Sequence, residues 1–359
     1  MQNKGLWVRR NAILPVLSLI FSSFSAFAGS DWDVFTADDP LFNMLGDYRY
    51  DISAGEINLL GEKYKNIPVN SNSAASLNTF GYRLYERKAY TDAATAFRRA
   101  IQLDPTYVFP HYNLACMLAL SAGGGKRIDP GELIYHLQYA ALLDVKYREK
   151  PGTDTDLDPV RDQAYFRDYL RLLEEGRVIL DDKSIYITTN TEKVCVTGLV
   201  EGAAGPLLIS PEISESLDKK AAAFISAHDK EYHVFILTSY GLLVKVTSEG
   251  LADLQSVFYC RLVWQPQNKG LLFDPGPALL YYEIASGKIK EVLRATEDMY
   301  SLKDYHFISP DKIGLMGGGY FEYSFAGAEY EIRLDGSGFR KVPGGRVEAG
   351  EDLRGGGGD

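Results

Sequence analysis

Between Ala74 and Tyr107 the chain reads AASLNTFGYRLYERKAYTDAATAFRRAIQLDPTY, thirty-four residues that suit two helices in close contact. Phe80, Leu84, Ala93, Phe97, Ala100, Ile101 and Leu103 recur at helical spacing on either side of a break near Lys88 to Thr91. Gly81, Ala93 and Ala100 are small where the helix axes must approach, and Phe80, Tyr90 and Phe97 are large where the hairpin needs filling. Asp104-Pro105 ends the second helix, because a residue before proline is pushed out of the helical region.

This spacing resembles a tetratricopeptide (TPR) repeat, a helix–turn–helix unit of about 34 residues. Leu77 holds the Trp or Leu position of the pattern, and Leu84 stands where the first helix has Tyr. A weaker copy follows. His111, Leu114, Ala115 and Leu118 take the places of Leu77, Phe80, Gly81 and Leu84, and Leu133, Leu137 and Ala140 those of Ala93, Phe97 and Ala100. The insert AGGGKRIDPG separates its helices. The stretch DTDLDPVRDQAYFRDYLRLL then resembles the acidic turn and closing helix that cap such arrays, with Arg161, Phe166, Leu170 and Leu173 as its contacts. Two repeats and a cap are fewer than the roughly three usually needed for stability, so the array must bury its open side on another part of the chain.

After Glu174-Glu175-Gly176 the period changes from helical to alternating. The runs SIYIT, KVCVTGLV, AAAFIS, YHVFILT, LLVKVT, SVFYCRLVW, GLLFD, ALLYYEI, YHFIS, KIGLM, YFEYSF and YEIRL read as short strands between Gly, Asp, Asn, Ser and Pro turns. Helices are expected only at 212–220 and 248–254. Residues 258–293 and 305–342 echo each other: the turn WQPQNKG matches ISPDKIG, and ASGKI matches LDGSGF. These units resemble blades of a TolB-type or related WD40-like β-propeller. Residues 221–248 and 184–210 would supply third and fourth blades, leaving either the smallest closed propeller or an incomplete one. The fold class is thus α then β: residues 74–175 a TPR-like helical domain and 176–343 an all-β, propeller-like domain. Residues 29–73 form an N-terminal segment, and the glycine-rich 344–359 an unstructured tail.

At the start of the chain, Lys4, Arg9 and Arg10 precede a largely apolar stretch, and Ala26-Phe27-Ala28 precedes Gly29. This reads as a secretory signal peptide over residues 1–28, with an uncleaved anchor as the alternative. The expected location is periplasmic or secreted, in a bacterial envelope, with no membrane span after cleavage. The formal charge is −10, and removing this segment takes away basic residues alone. Nucleic acid is therefore not an expected partner, since phosphate contacts need clustered Lys and Arg. Cys116, Cys195 and Cys260 read as buried free thiols, with a Cys195–Cys260 bridge as the alternative in an oxidising compartment.

Catalytic, metal and cofactor patterns fail in turn. Asp154, Asp156 and Asp158 alternate, but an EF-hand would need Gly where Pro159 stands and Glu where Tyr165 stands. Gly123 to Lys126 lack the first glycine and the Ser or Thr of a phosphate loop, given Leu120 and Arg127. No nucleophile elbow, His-Glu-x-x-His or Cys-x-x-Cys occurs. No catalytic residue, metal or cofactor is expected. The resemblance to TPR proteins implies a groove lined by first helices, here Asn78, Tyr82, Tyr85, Glu86, Phe109, Tyr112 and Cys116. These residues either meet a protein or peptide partner or pack against the N-terminal segment or the β domain. The expected function is an exported interaction or scaffold protein. Its alternative is an enzyme or small-ligand binder on the loops of the β domain, with Asp229, Glu231, His233, Asp274 and His306 to inspect.

Overall fold

The computed structural model describes residues 41, 43–44, 48–181, 184–204, 207–208, 214–228, 231–247, 260–276, 278–297, 299, 301–321 and 324–348. All belong to one compact unit, residues 37–359. The expected signal peptide, Asp229, and the helix at 248–254 lie outside the described residues.

The helical part begins at α1 (Ala54–Lys63), which the sequence reading left unassigned. Ser53 and Glu56 start it as a reciprocal capping box. Its Ile57 packs with Leu77 and Ala100, so part of the N-terminal segment covers the array. The first repeat is α2 (Ala74–Glu86) and α3 (Tyr90–Leu103). Leu77, Phe80, Gly81 and Leu84 face Ala93, Phe97, Ala100 and Ile101 in its buried seam, while Leu103 is exposed. The second is α4 (Val108–Gly123) and α5 (Pro130–Leu143). Asp129 caps α5, and Pro130 sits in its first turn, where no amide donor is missed. The cap follows as 3-10 turns at Val145–Arg148, Lys150–Gly152 and Thr155–Leu157, then α6 (Asp158–Arg161) and α7 (Ala164–Glu174). Phe166 and Leu173 are buried as expected; Tyr169 and Leu172 join them, and Leu170 is half-buried. Arg161 serves the turn instead, donating to the carbonyls of Gly152 and Asp154 at 2.7 Å each.

Four sheets account for the described strands. The short β1 (Asn43–Met44) lies ahead of the described helices. A first sheet holds β2 (Arg177–Asp181), β3 (Ser184–Thr188) and β4 (Lys193–Cys195). Helix α8 (Thr197–Ala204) follows, which corrects the strand expected through KVCVTGLV. A second sheet holds β5 (Leu207–Leu208), β6 (Ser214–Glu215), β7 (Ala221–His228), β8 (Glu231–Thr238) and β9 (Leu242–Lys245). β6 stands where a helix was expected at 212–220, and its pairing to β7 outweighs local propensity there. β1 joins this sheet by parallel pairing to β9, Asn43 opposite Leu242. The third sheet is an antiparallel meander of β10 (Leu262–Trp264), β11 (Gly270–Phe273), β12 (Ala278–Glu283) and β13 (Lys288–Arg294). The fourth holds β14 (Ser301–Ser309), β15 (Lys312–Phe321), β16 (Ser324–Arg333), β17 (Arg340–Lys341) and β18 (Val347–Glu348). Because β18 pairs with β16, residues 344–348 are structured, and the expected tail does not begin at Gly344.

The two echoing units are thus the third and fourth sheets, and they share one core. Leu272, Leu279, Tyr281 and Val292 from one meet Leu302, Tyr305, Ile313, Leu315 and Ile332 from the other. Their matched turns carry the backbone the sequence implied: Gly287 has φ +61° and Gly336 φ +84°, a region glycine enters without a Cβ penalty. The unit expected at 184–210 begins earlier, at Arg177, and its last two strand residues, Leu207–Leu208, pair into the second sheet instead. Among the described residues no strand pairing joins one sheet to the next.

Polar contacts tie helices to sheets. Gln138 on α5 donates to the carbonyls of Leu41 at 2.7 Å and Tyr240 at 2.5 Å. Lys220 Nζ donates to the carbonyls of Leu173 and Glu174 at 2.8 and 2.9 Å, capping α7 from the β side. Arg148 pairs with Asp218 at 2.8 Å. Among the described residues no helix is long and apolar enough to cross a membrane.

Candidate functional site

The TPR geometry sets α2 and α4 side by side, with Asn113 Nδ2 donating to Asn78 Oδ1 at 3.0 Å across the join. Around this pair the six expected groove residues divide. Tyr82 and Glu86 are exposed on α2, Glu86 paired with Arg83 at 3.0 Å. Phe109, near the start of α4, is 43% exposed, with Tyr107 set edge-on to its ring. Asn78 and Tyr85 are half-buried. Tyr112 is 2% exposed, which corrects its expected place on an open surface.

The cap explains the difference. Its 3-10 turns fold back over α4, where a further repeat would otherwise stack, and Leu157 and Val160 are fully buried there. Two of the alternating aspartates reach the groove. Asp154 accepts from the Tyr112 hydroxyl at 2.9 Å, and Asp156 from that of Tyr85 at 3.1 Å. Tyr147 lies 4.8 Å from the Tyr112 ring, and the Lys150 ammonium sits 4.4 Å from the same ring. Burial, reinforced by Asp156, raises the Tyr85 hydroxyl to about 12. Burial drives Tyr112 higher, so both stay protonated donors at neutral pH. The acidic run thus does more than start a helix: it supplies acceptors for a tyrosine-lined face. Only the pairing of three alternating carboxylates with a Tyr-rich helix hinted at this in the sequence.

Cys116 lies beneath this patch, its sulfur within 4.8 Å of oxygens of Asp154 and Asp156. Burial and then those two carboxylates hold its thiol far above the usual range. The hydroxyls of Tyr112 and Tyr85 bind those two carboxylates, so the cluster seats the cap on α4 and α2. Cys260 is buried as expected, but Cys195 is an exposed free thiol at the end of β4, the edge strand of its sheet. The three cysteines are unbridged.

The four of these β-domain residues that are described do not assemble. His233 is buried on β8 beside Thr247. Glu231 is exposed at the other end of a 3.6 Å contact to it. Asp274 follows β11, with an oxygen 2.7 Å from the Tyr305 hydroxyl. His306 is exposed on β14 and held by the carbonyl of Asp304 at 3.0 Å. They belong to three different sheets, each fixed by its own neighbours. On the helices, the exposed groups lie to either side of the Asn78–Asn113 pair: Tyr82 and Glu86 on α2, and Phe109 on α4.

Comparison with known proteins agrees with the first half of this picture. A TPR repeat family profile matches residues 81–118. No curated protein matches the chain significantly. Similar solved structures include TolB from Acinetobacter baumannii, 14% identical over 48% of this chain and 52% of that one, with a TM-score of 0.30. The tricorn protease is 14% identical over 47% of this chain and 16% of its own, with a TM-score of 0.32. Oligogalacturonate lyase from Vibrio parahaemolyticus is 11% identical over 48% and 46%, also with a TM-score of 0.32. The chain spans about half the length of the TolB chain it matches.

Proposed function

We propose that this chain is an exported interaction protein that binds a protein or peptide partner across the exposed faces of α2 and α4. The observation that carries the reading is the TPR repeat at 81–118, with the aromatic rings of Tyr82 and Phe109 left 50% and 43% exposed on and beside it. Rings of this kind offer contact area at low entropic cost, and a tyrosine adds a polar tip. Export is supported by the charged and then apolar start of the sequence.

The experiment is to place a photo-crosslinking residue at exposed position 86 in the full chain and expose it in cells. An adduct to one partner, lost when Tyr82→Ala and Phe109→Ala are added together, is the expected result. Tyr112 is a poor probe, because its loss would disturb the cap rather than the surface. Equal partner recovery by the parent and the double variant would remove this face as the binding site.

A further inference from the structure

Tyr50, just ahead of α1, places its hydroxyl 2.8 Å from Glu132 Oε1 and 2.5 Å from His136 Nε2, both on α5. His136 Nδ1 lies 2.9 Å from His111 Nδ1 on α4, and His111 Nε2 lies 2.9 Å from the Pro105 carbonyl. Both imidazoles are buried. Pro105, His111, His136, Tyr50 and Glu132 are thus joined by four contacts, and each needs one proton between two lone pairs. The Pro105 carbonyl only accepts, so His111 Nε2 must carry a proton. A neutral His111 then has a bare Nδ1, and His136 Nδ1 must donate to it. A neutral His136 has a bare Nε2, and Tyr50 must donate to that. Tyr50 has then no proton left for the Glu132 carboxylate. Two neutral imidazoles and one phenol supply three protons for four contacts.

We propose that this buried chain of side chains is a proton-binding site, taking up one proton beyond those three and holding it between Glu132 and His136 across the Tyr50 hydroxyl. In one form Glu132 is a carboxylic acid that donates to Tyr50, which donates to His136. In the other His136 is an imidazolium that donates to Tyr50, which donates to the Glu132 carboxylate. Two protons shift through the Tyr50 oxygen between these forms, and neither leaves a contact empty. Without the extra proton two lone pairs face each other, and the joint between the Tyr50 segment and α5 loosens.

The surroundings pull in both directions. Arg98 on α3 donates to both Glu132 oxygens, at 2.8 and 3.0 Å, which favours the carboxylate form. Burial, with His111 and the Arg98 charge, holds His136 far below the usual range, and burial lowers His111 to about 4, which disfavours the imidazolium form. Asp104, after α3, opposes that shift at His111. Tyr48 faces His136 from the N-terminal segment and donates to Asp129 at 3.4 Å. Tyr135 and Tyr139 of α5 flank the two imidazoles, and Tyr282 of β12 stands near Tyr139.

The sign follows from counting protons in the unfolded chain, which has three on these groups above roughly pH 6.5 and five between about pH 4.3 and 6.5. The native chain has four. The contribution of this site to stability should therefore fall on both sides of a maximum near pH 6.5, each limb approaching about tenfold in the folding constant per pH unit. The test is urea unfolding of the full chain from pH 5 to 9 for the parent, Tyr50→Phe and Glu132→Gln. In Tyr50→Phe two neutral imidazoles satisfy the contacts that remain. In Glu132→Gln the amide supplies the missing donor. Both should lose the alkaline limb, so the parent-to-variant ratio of folding constants should change up to about tenfold per unit above pH 6.5. Equal slopes in all three would overturn the proposal. The slope is read because Glu132→Gln also deprives Arg98 of its counter-charge, a loss that lowers stability at every pH. Nitrogen spectra of histidine-labelled parent protein give a readout that needs no variant: His111 protonated at Nε2 and His136 at Nδ1 is expected, and a bare His111 Nε2 would overturn the assignment.

Discussion

An alanine at position 81 would bring its Cβ to 2.7 Å from the Phe97 ring, closer than side chains tolerate. Phe97 is itself 1% exposed and has no room to retreat. Gly81→Ala should therefore cost about 1–3 kcal/mol, read as a lower midpoint in thermal or urea unfolding. A second single-residue effect sits at Asp274. The Tyr305 hydroxyl contacts both the Arg261 carbonyl and Asp274, yet it has one proton to give. A protonated Asp274 supplies the second, in keeping with burial raising this carboxyl to about 7. A folded pKa above the unfolded one gives stability that is whole below about pH 4 and lost as pH rises through 7. Asp274→Asn keeps a donor there at every pH. The variant should gain on the parent by about 1–3 kcal/mol between pH 5 and 8 in urea melts. An unchanged difference across that range would show the carboxyl to be ionised throughout.

Among the elements, those legible in the sequence were those with a period or a stop signal. Both helices of the first repeat lie where Gly81, Phe97 and Asp104-Pro105 put them, and the third and fourth sheets coincide with the echoing units. Helix α8 runs on from strand β4, and its Leu199 and Val200 suit a strand as well as a helix, so only packing separates the two. Helix α1 was readable from Ser53 and Glu56 at capping-box spacing, a signal left unused. The groove was half legible. Position along α2 and α4 identified Tyr82 and Phe109, but the burial of Tyr112 depends on the cap folding back, a long-range event with no local pattern. The end of α7 offers a test at this scale. Lys220 is lowered to about 8 by burial and by neighbouring Arg177 and Arg148, yet it serves two helix carbonyls. Lys220→Met would leave those acceptors without it and should cost about 1–3 kcal/mol in urea unfolding. A neutral result would show that water replaces the ammonium.

For the molecule as a whole, the short array closes itself with its own cap and with the second sheet. Gly176 marks how tightly: a Cβ there would lie 3.0 Å from the Ser239 carbonyl and 2.3 Å from that of Leu172. Gln138 and Arg148 reach the same region from the helices. Residues 29–176 expressed alone would expose Tyr169, Leu172 and Leu173 and leave the Gln138 amide without its Tyr240 acceptor. That fragment should aggregate or melt without cooperativity. A soluble fragment with a sharp transition and the helix signal of the parent would show that the array stands unaided.

The two-residue strand β1 has a topological meaning beyond its size. It enters the second sheet ahead of α1, so the array from α1 to α7 is looped out between two visits of the chain to the β part. Such an insert is moored at both ends. A protease that nicks the chain once near Glu175 should leave the halves associated in a native sizing column, and only a second cut ahead of α1 should free them.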